Sequence, residues 1–192
     1  MQAALKDIAS IQMGYSFRSR LQSTDTGSIA VIQMKDLMDD NTVNLNNLIL
    51  IDIDKFNDNH YVKKGDLIFR SRGLYATSAI VLDDPGIAVV SAPLLKVRVT
   101  SSAVMPEYLN WFISQLPAQI FLASRAGGTT QKMISKEALE ELEVFVPPLE
   151  KQKAIVALAA LAEEEQRIMK KLAIKRKQYI SATLIREAQE KI

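Results

Sequence analysis

The residues best suited to chemistry with a nucleic acid lie in one polar loop, residues 127–132. Glycine allows the backbone to approach a ligand closely, and the following residues supply two hydroxyls, an amide and an ammonium group. The candidates are Gly128, Thr129, Thr130, Gln131 and Lys132. Glutamine suits adenine, lysine suits guanine, and hydroxyls and backbone groups suit phosphates. The loop therefore offers DNA-reading chemistry. A second interpretation is that its Thr and Gln side chains only cap the helix that starts after Ser135.

A second group of candidates consists of cations close to aromatic residues. Arg70 and Arg72 follow an apolar run typical of a buried strand and, together with Tyr75, suit an edge that faces a DNA groove. An ion pair with the Asp-rich region 36–58 would explain the two arginines equally well. The other DNA-binding candidates are Arg18, Arg20 and Lys35, although isolated surface cations are usually only solvated.

The sequence lacks the motifs of catalysis. Residues 146–149, Val-Pro-Pro-Leu, lack the polar residue that begins an amino-methyltransferase tetrad, and no glycine-rich turn suits a nucleotide or S-adenosylmethionine. With no Cys and a single His, His60, a zinc site is disfavoured. Asp52, Asp54 and Asp58 alternate with apolar residues, as the exposed face of a strand end would. We therefore predict a protein that is not an enzyme and that holds no cofactor or metal.

Charge is distributed unevenly along the 192 residues. The net charge is +2, but residues 149–192 carry ten Lys/Arg against six Asp/Glu, so the preceding part is slightly acidic. Composition alone thus does not indicate a DNA-binding domain, and any DNA-binding cations must be concentrated on one face. We find neither a membrane-spanning run nor a secretory signal, and the lack of Cys suits a reducing compartment. These features predict a cytoplasmic protein without membrane association.

The first hundred residues predict mainly sheet. Apolar, β-branched runs between turn-forming residues predict strands over 29–34, 48–51, 67–70, 77–82 and 87–99. Helices are predicted from Pro106 to Ile113, after Pro117 and, with Ser135 as N-cap, over 136–142. A last strand is predicted over 143–146. The fold class is therefore α+β, with a mixed sheet on which helices pack.

Residues 147–192 predict one long helix. The stretch opens with Pro147 and Pro148, contains no Gly and no further Pro, and consists largely of strong helix formers. At 1.5 Å per residue this helix would be roughly 60 Å long, about twice the width of a small domain. A helix of that length cannot bury its apolar stripe on an adjoining domain, so it needs a partner.

A coiled-coil seam along this helix indicates which partner. Its members alternate in steps of three and four: Leu158, Leu161, Glu165, Ile168, Leu172, Lys175, Tyr179 and Ala182. In an antiparallel dimer whose two-fold axis crosses near residue 170, Glu165 of one copy faces Lys175 of the other. A parallel dimer would set like charges against each other. The seam predicts an antiparallel homodimer, although seven-residue repeats often look symmetric about some centre.

Several short motifs follow one another in a specific order. They are Leu-x-x-Ile-Ala from Leu5, Gly-Tyr-x-Phe-Arg from Gly14, Lys-Gly-Asp-Leu-Ile-Phe from Lys64, Gly-Gly-Thr-Thr-Gln-Lys from Gly127, and Pro-Pro-Leu-x-x-Gln-x-x-Ile from Pro147. As an ordered set they resemble the DNA-specificity subunit of type I restriction-modification systems over nearly the whole chain. The resemblance implies a target-recognition domain, residues 1–146, followed by a spacer and dimerisation helix, residues 147–192.

The usual subunit of that family carries this pair of elements twice, whereas this sequence carries it once. The resemblance therefore implies a half-length subunit that dimerises through its spacer helix and reads an inverted repeat; a truncation product and an engineered fragment fit equally well. It implies double-stranded DNA as the ligand. It also implies methylation (M) subunits and, through them, restriction (R) subunits as partners that carry the cofactor sites. The alternative is a coiled-coil scaffold whose globular head binds protein rather than DNA.

Overall fold

A computed structural model of the chain describes residues 1–17, 27–52, 57–73, 76–128 and 132–189. The strands are β1 (Gln2–Ala4), β2 (Ala9–Met13), β3 (Ile29–Ile32), β4 (Ile49–Ile51), β5 (Leu67–Phe69), β6 (Ser78–Ile80), β7 (Ala88–Val90), β8 (Leu95–Val99) and β9 (Glu143–Phe145). The helices are α1 (Leu5–Ile8), α2 (Pro106–Ile113), α3 (Leu116–Arg125), α4 (Lys136–Glu140) and α5 (Leu149–Gln189), with 3-10 turns at Met34–Asp36 and Asp58–His60. The predicted α+β class is confirmed.

The strands of the described residues form three sheets. A four-stranded antiparallel sheet has the order β2-β8-β5-β6, and a three-stranded sheet has the order β4-β3-β7. Strand β3 is antiparallel to β4 but parallel to β7, so the predicted mixed sheet is present. Strands β1 and β9 form a separate antiparallel pair. This pair joins the start of the chain to the segment just before α5.

The hydrophobic core lies between the two larger sheets. Ile32 and Val90 from the mixed sheet share one buried cluster with Ile68 and Ala79 from the antiparallel sheet. The opposite face of the mixed sheet is also covered, since Val31 and other residues there form a second buried cluster. Burial on both faces explains why β3 reads as a continuous apolar run rather than an alternating one.

Local signals set most of the helix boundaries. Pro106 is the first residue of α2, and the Ser135 hydroxyl accepts a hydrogen bond from the Ala138 backbone N–H at 3.1 Å, as predicted for an N-cap. The predicted extension of α4 to residue 142 is wrong by two residues. There the Leu142 N–H turns back to the carbonyl of Leu139, and β9 begins directly afterwards.

The chain divides into two compact units, Met1–Lys153 and Ala154–Ile192. The first turn of α5 belongs to the first unit because Gln152 is fully buried there. Within the second unit the helix continues to Gln189 and every predicted seam residue is exposed. Leu158, Leu161 and Tyr179 are each about 70% exposed. In the single chain this apolar stripe is therefore in contact with solvent.

Candidate nucleic-acid interface

The loops that carry the predicted candidates leave the antiparallel sheet at one end. Met13 and Phe69 both pair with Leu95 of β8, and Phe69 also pairs with Ser78. The residues that follow β2 and β5, and those that precede β6, therefore lie in neighbouring positions. These segments contain or lead directly to the candidates at positions 18, 20, 70, 72 and 75.

The mixed sheet contributes to the same end. The Tyr15 N–H, just after β2, donates to the carbonyl of Val90 at 2.7 Å, and the Ser91 N–H donates to the carbonyl of Ile32 at 3.0 Å. Ile32 is the last residue of β3 and leads into the 3-10 turn that contains Lys35. Lys35, whose side chain is exposed, therefore lies three residues after the end of β3.

Gly14 allows this close packing of loop on loop. A β-carbon at residue 14 would lie 2.6 Å from the backbone carbon of Ser91 and 2.8 Å from the backbone nitrogen of Ala92. Backbone atoms cannot move aside as a flexible side chain can. The glycine in the Gly-Tyr-x-Phe motif is therefore required by the approach of residues 91–92, which hold the segment that leads to Arg18.

The polar loop around residue 128 packs against the residues after β5. Gly127 and Met133 exchange two backbone hydrogen bonds of 2.9 and 3.0 Å, and the Ile134 N–H donates to the carbonyl of Ser71 at 2.8 Å. Gly128 has a φ of 106°, a left-handed conformation that favours glycine. The base of the predicted DNA-reading loop is thus fixed beside Arg72, although the two come from distant parts of the sequence.

Three of the candidate cations line a single cleft at this place: Arg70, Arg72 and Lys132. The Arg70 guanidinium donates a hydrogen bond to the backbone carbonyl of Leu37. Its partner therefore lies in region 36–58, and this contact is to a carbonyl oxygen. The Arg72 Nε donates to the Met133 sulfur at 3.4 Å. Gly128 lines the adjoining groove with Arg72.

The remaining candidates of this group lie outside the described residues: Arg18, Arg20, Tyr75, Thr129, Thr130 and Gln131. Their DNA contacts stay predictions, as do those of Lys35, Arg70, Arg72, Gly128 and Lys132. In the alternative interpretation, the Thr and Gln side chains of the loop cap the helix after Ser135. The Ser135 hydroxyl itself caps this helix, α4.

Arg125 is a neighbouring cation that was not among the predicted candidates, and it differs from them in its ion pairing. Among the described residues, no ion pair involves Lys35, Arg70, Arg72 or Lys132. Arg125 lines the same groove as Arg72, but it pairs with Glu141 at 3.2 Å and lies over the Phe121 ring. Its position two residues before Gly127 was the available signal. The ion pair could not be read from the sequence because Glu141 follows after an intervening loop.

The described residues contain neither a candidate metal site nor a candidate membrane span. No group of three or more His, Cys, Asp or Glu side chains is arranged to hold a metal ion in that part of the chain. None of the helices described here combines the length and the hydrophobicity required to cross a membrane.

A family model described as the type I restriction modification DNA specificity domain matches residues 1–174. The match thus includes the whole first unit and about half of the exposed part of α5. A comparison with curated protein sequences gave no match.

Solved structures show the same fold at low sequence identity. The HsdS subunit from Thermoanaerobacter tengcongensis is 16% identical over 86% of this chain, with a TM-score of 0.64. A structure described by complex assembly and conformational transition of the type I R-M system is 17% identical over 86%, with a TM-score of 0.66. The type I restriction-modification S subunit from M. genitalium is 15% identical over 85%, with a TM-score of 0.56. This chain spans 37 to 39% of the length of these proteins.

Proposed function

The chain belongs to the family of type I restriction modification DNA specificity domains, and we propose that it directs methylation and restriction subunits to a bipartite DNA site by recognising the sequence of that site. Members of this family recognise DNA and are not catalytic. Double-stranded DNA is the proposed ligand, and the M subunits, and through them the R subunits, are the proposed partners. No cofactor is assigned to this chain itself.

The observation that supports DNA as the ligand is the meeting of candidate loops at one end of the sheets. Arg70 and Arg72 line one cleft there with Lys132, which is distant from them in the sequence, and none of the three has an ion-pair partner among the described residues. A slightly acidic domain can bind DNA only if its cations are concentrated in this way. The geometry supports binding through this end of the first unit.

The proposal predicts salt-dependent binding to double-stranded DNA. Retention of a random-sequence duplex should fall steeply as salt increases, because each neutralised phosphate releases counterions. Addition of the cognate methylation subunit should select particular sequences from the pool. A gel-shift titration with and without that subunit measures both effects. If no duplex is retained under any condition, the alternative of a scaffold whose head binds protein is favoured instead.

A bipartite site requires two recognition units, and we propose that two copies of this chain supply them. The exposed seam on α5 supports an antiparallel homodimer, which would present the two units as a two-fold pair suited to an inverted repeat. The helix would then set the distance between the half-sites. Glu165 and Lys175 provide the test, because the antiparallel pairing brings them together twice in each dimer.

Replacing Glu165 by lysine should weaken the dimer about thirtyfold, which corresponds to about 2 kcal/mol. Two attractive pairs become two repulsive ones, and each exposed pair contributes only about 0.5 kcal/mol. The double variant Glu165→Lys/Lys175→Glu should restore the dimer. Sedimentation velocity over a concentration series measures the dissociation constant. Glu163→Lys, with the same charge change at an exposed position outside the seam, is the matched control. An unaffected single variant, or a double variant without rescue, would contradict the pairing.

A further inference from the structure

The cleft between the end of β5 and the loop at 127–133 combines positive charge with very small neighbours. Arg70, Arg72 and Lys132 supply the charge, while Gly73, Ala76 and Ala123 leave space beside them. The volume of the cleft is about 90 Å³. Its walls come from three segments that the fold brings together, the residues after β5, helix α3 and the returning strand of the loop.

The size of the cleft decides which part of DNA it can hold. With a volume of about 90 Å³, the cleft suits one small group, such as a phosphate with its two free oxygens. Sites that enclose a whole drug-sized molecule measure about 300 Å³ or more, so the cleft is too small to enclose a large ligand.

The guanidinium groups are oriented before any ligand binds. Arg70 is held by the carbonyl of Leu37, and Arg72 is held by the sulfur of Met133. Each guanidinium has five N–H donors, and each of these two hydrogen bonds uses only one of them. Within the described part of the chain neither arginine nor Lys132 meets a carboxylate. Positive charge in a confined cleft without a counter-ion favours an anion.

The geometry points to a phosphate pocket: the cleft takes one backbone phosphate of the DNA, bound by Arg72 and Lys132, with Arg70 as a fixed cationic wall. The inference rests on the proposed function and deepens it, because it assigns these side chains to the backbone and not to a base edge. Phosphate contacts set the position and register of a protein on the duplex and carry no sequence information directly. Sequence is then read by other parts of the surface.

Selection of binding sites from a random duplex pool separates the two roles. Arg72→Ala and Lys132→Ala should each weaken binding about tenfold and lower the salt slope by about one, while the preferred sequence stays the same. Lys64→Ala is the matched control, because it removes the same charge from an exposed position before β5, at the opposite end of that strand. A preference that changes at a defined base pair would overturn the inference and leave the proposed function intact. A loss no greater than that of Lys64→Ala would also overturn it.

Inorganic phosphate provides a readout that does not depend on DNA. Nitrogen-15 spectra of the full chain should show shifts of the Arg70 and Arg72 Nε–H signals on titration with phosphate, and these shifts should be reduced in Lys132→Ala. If these signals do not move, the inference is overturned whatever the DNA assays give. If they move while wild-type protein retains no duplex, the pocket stands and the proposed DNA function fails.

Discussion

Replacing Gln152 by leucine is expected to lower the free energy of unfolding of the first unit by about 3 to 6 kcal/mol. The Gln152 side chain is fully buried, and all of its polar atoms are used. Its amide oxygen accepts from the Met105 N–H at 2.8 Å. Its amide nitrogen donates to the carbonyls of Ala103 and Pro147, each at 2.7 Å.

The size of the effect follows from what leucine leaves behind. Leucine has a similar volume but no polar atom, so one backbone donor and two backbone acceptors lose the partner that the buried amide supplied. Because Ala103 is exposed and Met105 and Pro147 are half-buried, each unsatisfied group costs about 1 to 2 kcal/mol, the lower part of the usual range. The start of α5 would lose its hydrogen bonds to the loop before α2, and the Pro147 carbonyl would lose its link to the first helical turn.

Urea unfolding followed by circular dichroism, with the midpoint and slope both fitted, measures this loss. Gln166→Leu makes the same chemical change at an exposed position of α5 and should alter stability by less than about 0.5 kcal/mol. Equal effects in the two variants would show that the buried amide does not join these segments.

Gln152 also illustrates what sequence reasoning can and cannot reach. Strands β3 to β9, the Pro106 helix start and the Ser135 cap depend on neighbours within a few residues, and their predicted positions agree with the structure apart from boundary errors, whereas β1 and β2 were not predicted. In the sequence Gln152 looks like an ordinary helix former within the Pro-Pro-Leu-x-x-Gln motif. Its partners at Ala103 and Met105 are almost fifty residues away, so only the fold reveals its role.

The candidate interface shows the same division. Arg70, Arg72 and Lys132 could be chosen one at a time, because residue type and a flanking glycine indicate a cation on a surface loop. Their meeting in one cleft depends on the register of β5 with β8 and on the packing of Ile134 against Ser71. These are long-range pairings that periodicity does not encode. The hydrogen bond from Arg70 to the Leu37 carbonyl is another long-range contact of this kind.

An ion pair with a buried carboxylate lies just before β5, within the Lys-Gly-Asp-Leu-Ile-Phe motif. Asp66, in the Lys-Gly-Asp-Leu sequence, is 2% exposed and accepts two hydrogen bonds from the Arg98 guanidinium at 2.6 and 2.7 Å. It also accepts from the Lys63 N–H at 2.8 Å, which closes the turn. Lys96, two residues before Arg98, is buried and donates to the backbone carbonyls of Asn59 and Tyr61.

Asp66→Asn should therefore lower the free energy of unfolding by about 2 to 3 kcal/mol near neutral pH, because the Arg98 guanidinium loses its charge-assisted hydrogen bonds to the carboxylate. Urea unfolding again measures the loss. Asp83→Asn, at an exposed position, is the control and should have almost no effect. A loss below about 1 kcal/mol for Asp66→Asn would indicate that the pair contributes little beyond a neutral hydrogen bond.

The pH dependence of that loss tests a second electrostatic contribution of Asp66, its stabilisation of the charged form of Lys96. Burial, with a further contribution from the Arg98 charge, lowers the pKa of Lys96 to about 8, while the Asp66 carboxylate acts in the opposite direction. Because the unfolded chain holds this proton more tightly, wild-type stability should rise with pH between about 8 and 10.5. Removing the carboxylate lowers the Lys96 pKa further. The variant therefore loses additional folding stability while Lys96 is charged, and none once Lys96 is neutral. The difference between wild type and Asp66→Asn should thus be largest well below pH 8 and should decrease as the pH rises through about 8, the pKa of Lys96 in the folded wild type. A pH-independent difference would show that Asp66 does not stabilise the charged form of Lys96.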